Sequence, residues 1–406
     1  MRTEGQESAR SSSELYYDPY DFQIDDDPYP IWKRLRDEQP LYRNERFDFF
    51  AVSRFDDVEA CSRDWRTFIS SKGTILELIR ADVTLPRGMF IFEDPPIHDL
   101  HRGLMSRVFT PRRVSALEKR MRDFCARALD PLVGRSGFDF VRDLGADMPM
   151  RVISQMLGIP EAEQEAVRDQ IDAGLRMDEG ATAQGVDAAA VLEDRGRFVD
   201  YIGFRRQNPS DDLMTDLITL TFVDENGVER HLDDDEIVNY STLLAAAGNE
   251  TTTRLIGWAG YLLAKHPGQR ELLVKDRSLI PGAVEEILRY EAPSPVQARY
   301  VTRDVELHGA TVPEGSVLLL LTASANRDER RFPEADRFDV QRRIDHHLSF
   351  GYGVHFCLGA ALARLEGRIA LEEVLARFPH WDVDEANAER VRTSTVRGWH
   401  RLPVTL

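Results

Sequence analysis

Between Asp233 and Pro267 the chain keeps one helical spacing without a break, through Ile237, Leu244, Ala247, Thr251, Leu255, Trp258 and Leu262. Asp233 with Glu236 three residues on has the form of a capping box, and Pro267 closes the far end. About 33 residues at ~1.5 Å each span roughly 50 Å, the width of a whole molecule of this size. A helix that long runs through the core, so the rest of the chain must pack around it. Its middle is nevertheless small and polar: Ala247-Gly248-Asn249-Glu250-Thr251-Thr252. Glycine in a helix interior costs ~1 kcal/mol, and an ionised Glu in a core costs more unless compensated. Either this turn faces water or it serves a functional site; periodicity leaves both open.

The second constraint is Phe350-Gly351-Tyr352-Gly353-Val354-His355-Phe356-Cys357-Leu358-Gly359. The stretch behind it, Ala360-Ala361-Leu362-Ala363-Arg364-Leu365, contains no breaker and reads as a helix. Cys357 therefore falls at or just before a helix N-terminus, where backbone N–H groups and the dipole favour a thiolate. The glycines permit a tight turn and a close approach to something flat or bulky. No second Cys or His stands at zinc spacing nearby, so a thiolate here suits one bond to a soft metal. Taken alone, such a cysteine is more often a buried thiol in a glycine-rich turn. A dinucleotide loop is excluded, because Phe356 occupies the place of the third glycine.

Phe350, Gly351, Gly353, His355, Cys357 and Gly359 stand at the spacing of the haem-binding loop of the cytochrome P450 family. With that constellation the chain resembles the family from about Asp18 onward. The resemblance implies a mainly α fold with small β-sheets. It also implies one haem-thiolate monooxygenase domain over 18–406, while the polar, Ser-rich composition of the start gives the expectation of a disordered tail over residues 1–17. The implied cofactor is haem b, with Cys357 as metal ligand and Phe350 and Gly359 beside it in the loop. Thiolate donation from Cys357 favours O–O cleavage. His98 and Arg102 follow the family-like Asp94-Pro95-Pro96, share a helical face, and would contact the haem propionates. Without the resemblance, those two read as a solvated helix face. Arg299 and His355 are implied as further propionate contacts; a buried Arg in a strand is rare without an anion. Ile97 departs from the charged residue frequent at its position.

The central turn of the long helix resembles the family's oxygen-activating turn. Ala247 and Gly248 would leave room over the iron, and Glu250 and Thr251 would form the acid–alcohol pair that organises proton delivery. The acid is Glu in place of Asp, a common variant. Glu286 and Arg289 match the family's Glu-x-x-Arg, expected to lock to Arg337 and keep the cysteine loop in register. Ala335 replaces a frequent Pro there. The implied reaction inserts one atom of O2 into a hydrophobic small molecule of terpenoid, steroid or fatty-acyl type. No flavin or nicotinamide site is visible, so electrons are expected from a ferredoxin-type donor with an NAD(P)H-dependent reductase. A peroxide-driven peroxygenase and a non-catalytic haem-binding sensor are the alternatives. Neither needs the acid–alcohol pair, which weighs against both.

The net charge of −18 disfavours a nucleic-acid partner. Within that acidic chain, the stretch Arg102–Arg122 holds seven basic residues (Arg102, Arg107, Arg112, Arg113, Lys119, Arg120, Arg122) against Glu118 alone. Arg364 and Arg368 follow Cys357 at helical spacing and would extend a basic docking face for an acidic ferredoxin. The three cysteines, Cys61, Cys125 and Cys357, lie far apart and form no disulfide framework. The first residues are polar and Ser-rich, and no apolar run is long enough to span a bilayer. The expectation is a cytoplasmic monomer without a membrane anchor.

Along the chain, a helix over Ile31–Leu35, a hairpin over Leu41–Phe55 and a short helix through Val58 and Cys61 are expected. Gly73 to Phe92 reads as an apolar loop with broken helical pieces, which in the family covers the substrate. Leu243, Leu244, Ala247, Val296 and Val396 are expected near that cavity. Arg80 or Arg87 would hold a substrate carboxylate or else be surface charges. Gly137 to Gln207 reads as helical, with a Gly/Ala-rich link at Met177–Ala190 that resembles the family's mobile lid. Asn226-Gly227 marks a hairpin turn. Gln297–Val301, Val305–Val312 and Ser316–Ala323 read as strands, and Trp381–Leu406 as strand and turn.

Overall fold

The computed structural model describes residues 15–107, 109–164, 195–393 and 396–406. The tail before residue 15 and the link at Met177–Ala190 lie outside the described residues. Within the described residues Tyr17 is buried against Trp32, Tyr42 and Phe49.

The long helix runs from Asp234 to Lys265, 32 residues. The Asp233 carboxylate accepts the Glu236 N–H at 2.8 Å, and Glu236 accepts the Asp233 N–H at 3.0 Å, so both halves of the capping box form. The helix threads two apolar clusters. Ile237 to Ala245 pack with Met89, Leu104, Met105, Met150 and Ile153. Leu255 to Leu263 pack with Phe140, Leu144, Val284, Ile287, Ile369 and Trp381. The polar turn falls in the interval between the two cores, which is why it does not break either.

The sheets are small. A five-stranded sheet carries, in order, Leu41–Asn44, Phe49–Val52, Val317–Leu320, Gln297–Val301 and Phe68–Ile69. Its pairing is antiparallel except between Phe49–Val52 and Val317–Leu320. The expected hairpin over Leu41–Phe55 and the turn at Asn226-Gly227 both form. Gly73 to Phe92 is an irregular segment with a helix at Leu76–Ala81 and a single tight turn at Phe90–Phe92.

Three expectations about secondary structure need correction. Gly137–Asp139 is not helical: it pairs with Pro403–Thr405, and a Cβ on Gly137 would sit 2.2 Å from the Val404 carbonyl oxygen. Val305–Val312 is a hairpin of Val305–Leu307 and Ala310–Val312, turned at His308 and Gly309, both at positive φ (51° and 78°). The strand expected to reach Ala323 stops at Leu320, because the Thr322 hydroxyl donates to the carbonyls of Ser294 and Pro295 at 3.0 and 2.8 Å and a short helix begins.

Glu286 and Arg289, on the helix Ile280–Tyr290, form a fully buried two-bond pair at 2.7 and 2.8 Å. Arg289 also donates to the carbonyls of Asn326 and Ala335, each at 2.9 Å. The third arginine is Arg342, whose Nε lies 3.3 Å from Glu286 Oε1. Arg337 was expected there, but its side chain is exposed and pairs with Glu334 and Asp339. No described helix is long and apolar enough to cross a membrane.

Candidate active site

The cysteine loop is shaped by two glycines at positive φ, Gly351 (68°) and Gly353 (73°). Gly353 presses on the helix Phe55–Arg63, where a Cβ would lie 2.8 Å from the Ser62 carbonyl oxygen. The Cys357 N–H donates to the Phe350 carbonyl at 2.8 Å and closes the loop. Arg364 lays its guanidinium over the Phe350 ring at 4.4 Å. Cys357 stands two residues before Gly359, the N-cap of the helix Ala360–Arg377. It is exposed, whereas Cys61 and Cys125 are buried and their thiols are pushed up to about 12 by desolvation.

Cys357 is accessible but walled by protein. That surrounding low-dielectric matter raises its thiol too, against the opposing pull of the Gly359 N–H, Arg102 and Arg364. The helix terminus alone therefore does not secure a thiolate, as the spacing suggested it would. Coordination to a metal would remove the proton outright.

Beside the loop lies a group of basic side chains. His98 and Arg102 come from the helix Ile97–Ser106, Arg299 from the strand Gln297–Val301, and His355 from the loop itself. The His98 and His355 rings meet edge to face, 4.5 Å between centroids. The Nε2 of each is buried with no hydrogen-bond partner among the described residues. Arg299 is 4% exposed and donates to the Ala298 carbonyl (2.8 Å) and Gln297 Oε1 (3.2 Å), with no carboxylate in contact among the described residues. Asp94 acts on it at a distance, but its oxygens take the N–H groups of Ser70 and Ser71. Burial pulls Arg299 down to about 10. Burial, then Arg299, His98 and Arg102, hold His355 down to about 2. Arg102 reaches the Phe356 carbonyl at 2.5 Å, so the basic group abuts Cys357 directly. His98 Nδ1 lies 3.0 Å from Asp99 Oδ1, so its Nε2 donates only in the protonated ring, a form that an anion beside the Arg299 and Arg102 guanidiniums would favour. The set thus fits a group with acidic arms and a metal one bond from Cys357.

On the long helix, Ala247 is exposed between buried stretches on either side. The Thr251 hydroxyl donates to the Ala247 carbonyl at 2.9 Å, a back-bond that loosens the helical ladder at this turn. Leu358 packs on the cluster that contains Leu243, Leu244 and Ala245, which brings the cysteine loop to the same region. Gly248 has a packing reason: a Cβ there would lie 3.3 Å from Ile153 Cδ1. Glu250 is 4% exposed and ion-paired to Arg254 at 2.7 Å, and Arg254 also donates to the Trp399 carbonyl at 2.6 Å.

Of the residues expected at a substrate cavity, only Ala247 is open. Leu243, Leu244 and Val396 are buried, and Val296 is half-buried against a different cluster. Arg80 is an exposed charge, and Arg87 is occupied by Glu225 at 2.6 Å. Sequence reasoning passed over Glu366, 2% exposed on the helix behind the cysteine loop. Burial pushes its carboxyl well above the usual range, and the Thr252 hydroxyl donates to it at 3.4 Å. Its position on the Leu362, Glu366, Ile369 stripe was the available signal.

The basic run is partly neutralised. Arg113 pairs with Asp216; Arg122 with Glu118, Glu372 and Glu373; Arg364 with Glu285; and Arg368 with Glu118 and Glu372. Arg107, Arg112, Lys119 and Arg120 remain exposed without a carboxylate partner among the described residues.

The sequence model of the family described as Cytochrome P450 matches residues 195–398. Cytochrome P450 123 of Mycobacterium bovis is 41% identical over 97% of this chain and 97% of its own length. Two solved structures superpose along nearly the whole fold. A mutant of P450 EryK, an S. erythraea protein, in complex with erythromycin B has a TM-score of 0.84 at 34% identity, covering 93% of this chain and 95% of that one. CYP109E1 from Bacillus megaterium in complex with testosterone has a TM-score of 0.85 at 28% identity, covering 94% and 98%.

Proposed function

The chain belongs to the cytochrome P450 family of haem-dependent monooxygenases, and from that premise we propose that it holds haem b through Cys357 and oxygenates a bulky hydrophobic molecule with electrons from a ferredoxin. The observation that carries this reading is the buried basic group of Arg299, His98 and His355, in which the Nε2 atoms of both histidines have no hydrogen-bond partner among the described residues, against the loop that presents an exposed Cys357. Over residues 18–406 the chain would act as one haem-thiolate domain.

When bound, the haem supplies activation of O2 at its iron. Cys357 holds that iron, Arg299, His98, Arg102 and His355 hold the propionates, and Phe350 and Gly359 shape the loop. Ala247 keeps the helix slim at the open turn, and Gly248 lets that turn sit close against Ile153. Thr251 presents its hydroxyl there, and Glu250, one residue back, would take up a proton from solvent when it turns from Arg254 and pass it on to that turn.

The substrate class is supported by the apolar segment Gly73–Phe92 and by the testosterone and erythromycin B bound to the two structural relatives. A terpenoid, steroid or macrocycle of that bulk is expected to shift the ferric spin state on titration. Cys61 and Cys125, buried and unpaired as thiols, support a reducing compartment such as the cytoplasm.

For the electron donor, the free cations redirect the test. Arg113 already spends its charge on Asp216, so the informative variant is Arg112→Glu with Arg120→Glu. Steering by local charge raises association rates by 10 to 10³ and is screened within ~8–10 Å at physiological salt. Stopped-flow reduction by an acidic ferredoxin is expected to slow roughly tenfold at low salt and to lose most of its salt dependence. A variant that tracks the parent at every ionic strength would remove this patch as the docking face.

A further inference from the structure

We propose that Glu93 and His101 form a latch that holds the segment Gly73–Phe92 shut against the long helix and sets how fast ligands reach the haem; this rests on the reading of that segment as the cover of the haem site. Glu93 is buried at the end of the segment and uses both carboxylate oxygens. Oε1 accepts the Gly88 N–H at 2.8 Å, and Oε2 lies 2.7 Å from His101 Nδ1. A carboxylate only accepts, so Nδ1 carries the hydrogen. His101 is wholly buried on the helix Ile97–Ser106, between His98 and Arg102. The cover and the anion cradle are therefore fastened to one rigid element.

The long helix grips the same point from the other side. Gly88, at φ 90°, faces it at ordinary van der Waals distance: a Cβ would be 3.7 Å from Glu236 Cα and 3.8 Å from Asn239 Cβ. Asn239 Nδ2 donates to the Arg87 carbonyl at 2.8 Å. Residues 81–84, just before this point, are exposed, so the pinned end follows a stretch that has few constraints. The joint is also built to open. His101 Nε2 and the Tyr240 hydroxyl are buried without hydrogen-bond partners among the described residues, and their rings meet edge to face at 6.0 Å. Water reaching both atoms on opening would satisfy them and offset part of the cost of breaking the Glu93 pair.

The test uses His101→Phe, which keeps the ring contact with Tyr240 but removes Nδ1, and His101→Asn, which restores a donor near the Nδ1 position. With the haem-loaded chain and 4-phenylimidazole as probe, His101→Phe should raise association and dissociation rates together by roughly tenfold, the equivalent of one buried hydrogen bond, with Kd little changed. His101→Asn should return toward the parent. Trypsin should cut after Arg80 and Arg87 faster in His101→Phe than in the parent, a readout that needs no haem. Asn239→Ala, which frees the Arg87 carbonyl from the long helix while the Arg87 ion pairs with Glu236 and Glu225 remain, should act in the same direction and decides the matter if His101→Phe fails to fold. Probe rates and cleavage rates equal to the parent in the variants would overturn the latch. A parent that gives no haem spectral response to the probe would instead overturn the haem reading, and cleavage would still test the closure.

Discussion

Replacing Arg289 with Met is expected to cost the fold about 3–5 kcal/mol, because it strands a buried carboxylate. Glu286 is completely buried, and Arg289 supplies two of its bonds. The Asp339 N–H at 2.9 Å and Arg342 at 3.3 Å would remain, too little to compensate the charge. The damage should reach the cysteine loop by a short route. Arg289 fixes the Asn326 carbonyl, Asn326 Oδ1 accepts the Leu348 N–H at 2.7 Å, and Asn326 Nδ2 donates to Ser349 Oγ at 2.8 Å, next to Phe350. Urea unfolding should show the lowered midpoint together with weakened haem retention. Arg337→Met, by contrast, removes only exposed pairs and should stay within ~0.5 kcal/mol of the parent. Equal effects from the two substitutions would mean that Arg337 does belong to the lock.

Thr251→Ala is expected to uncouple electron consumption from product formation. The hydroxyl lies one turn from the exposed Ala247 and donates to its carbonyl, and its loss removes the one hydroxyl that reaches that carbonyl among the described residues. Positioned proton transfer is typically worth 10²–10⁴-fold, and water substitutes in part, so the ratio of product to reductant should fall roughly tenfold or more while peroxide rises. Reductant use itself should continue. Peroxide assay and product quantification on the same sample check this, and unchanged coupling would exclude Thr251 from proton delivery.

What was legible in the sequence was local. The capping box at Asp233 and Glu236, the glycine spacing around Cys357 and the Glu286–Arg289 spacing each lie within a few residues, and each forms as read. What was not legible depends on partners brought together by the tertiary fold. Gly137–Asp139 becomes a strand only because Pro403–Thr405 arrives beside it. Arg342 displaces Arg337 from the lock because the chain turns between them, so a motif position did not predict which guanidinium points inward. The basic run looked like an open patch until Glu372, Glu373, Asp216 and Glu285 folded over it. Cys357 is the instructive case. Its helix N-terminus was read correctly, but the desolvating walls that oppose a thiolate come from distant segments.

The most direct measurement is the absorption spectrum of the dithionite-reduced protein with carbon monoxide. Ligation by the Cys357 thiolate predicts a Soret band shifted to the red of the position a histidine-ligated haem shows under the same treatment. Cys357→His, loaded with haem and treated identically, should show the ordinary Soret position of a histidine-ligated haem. A parent protein without the shifted band, or a Cys357→His variant that keeps it, would contradict the assignment of Cys357 as the iron's ligand.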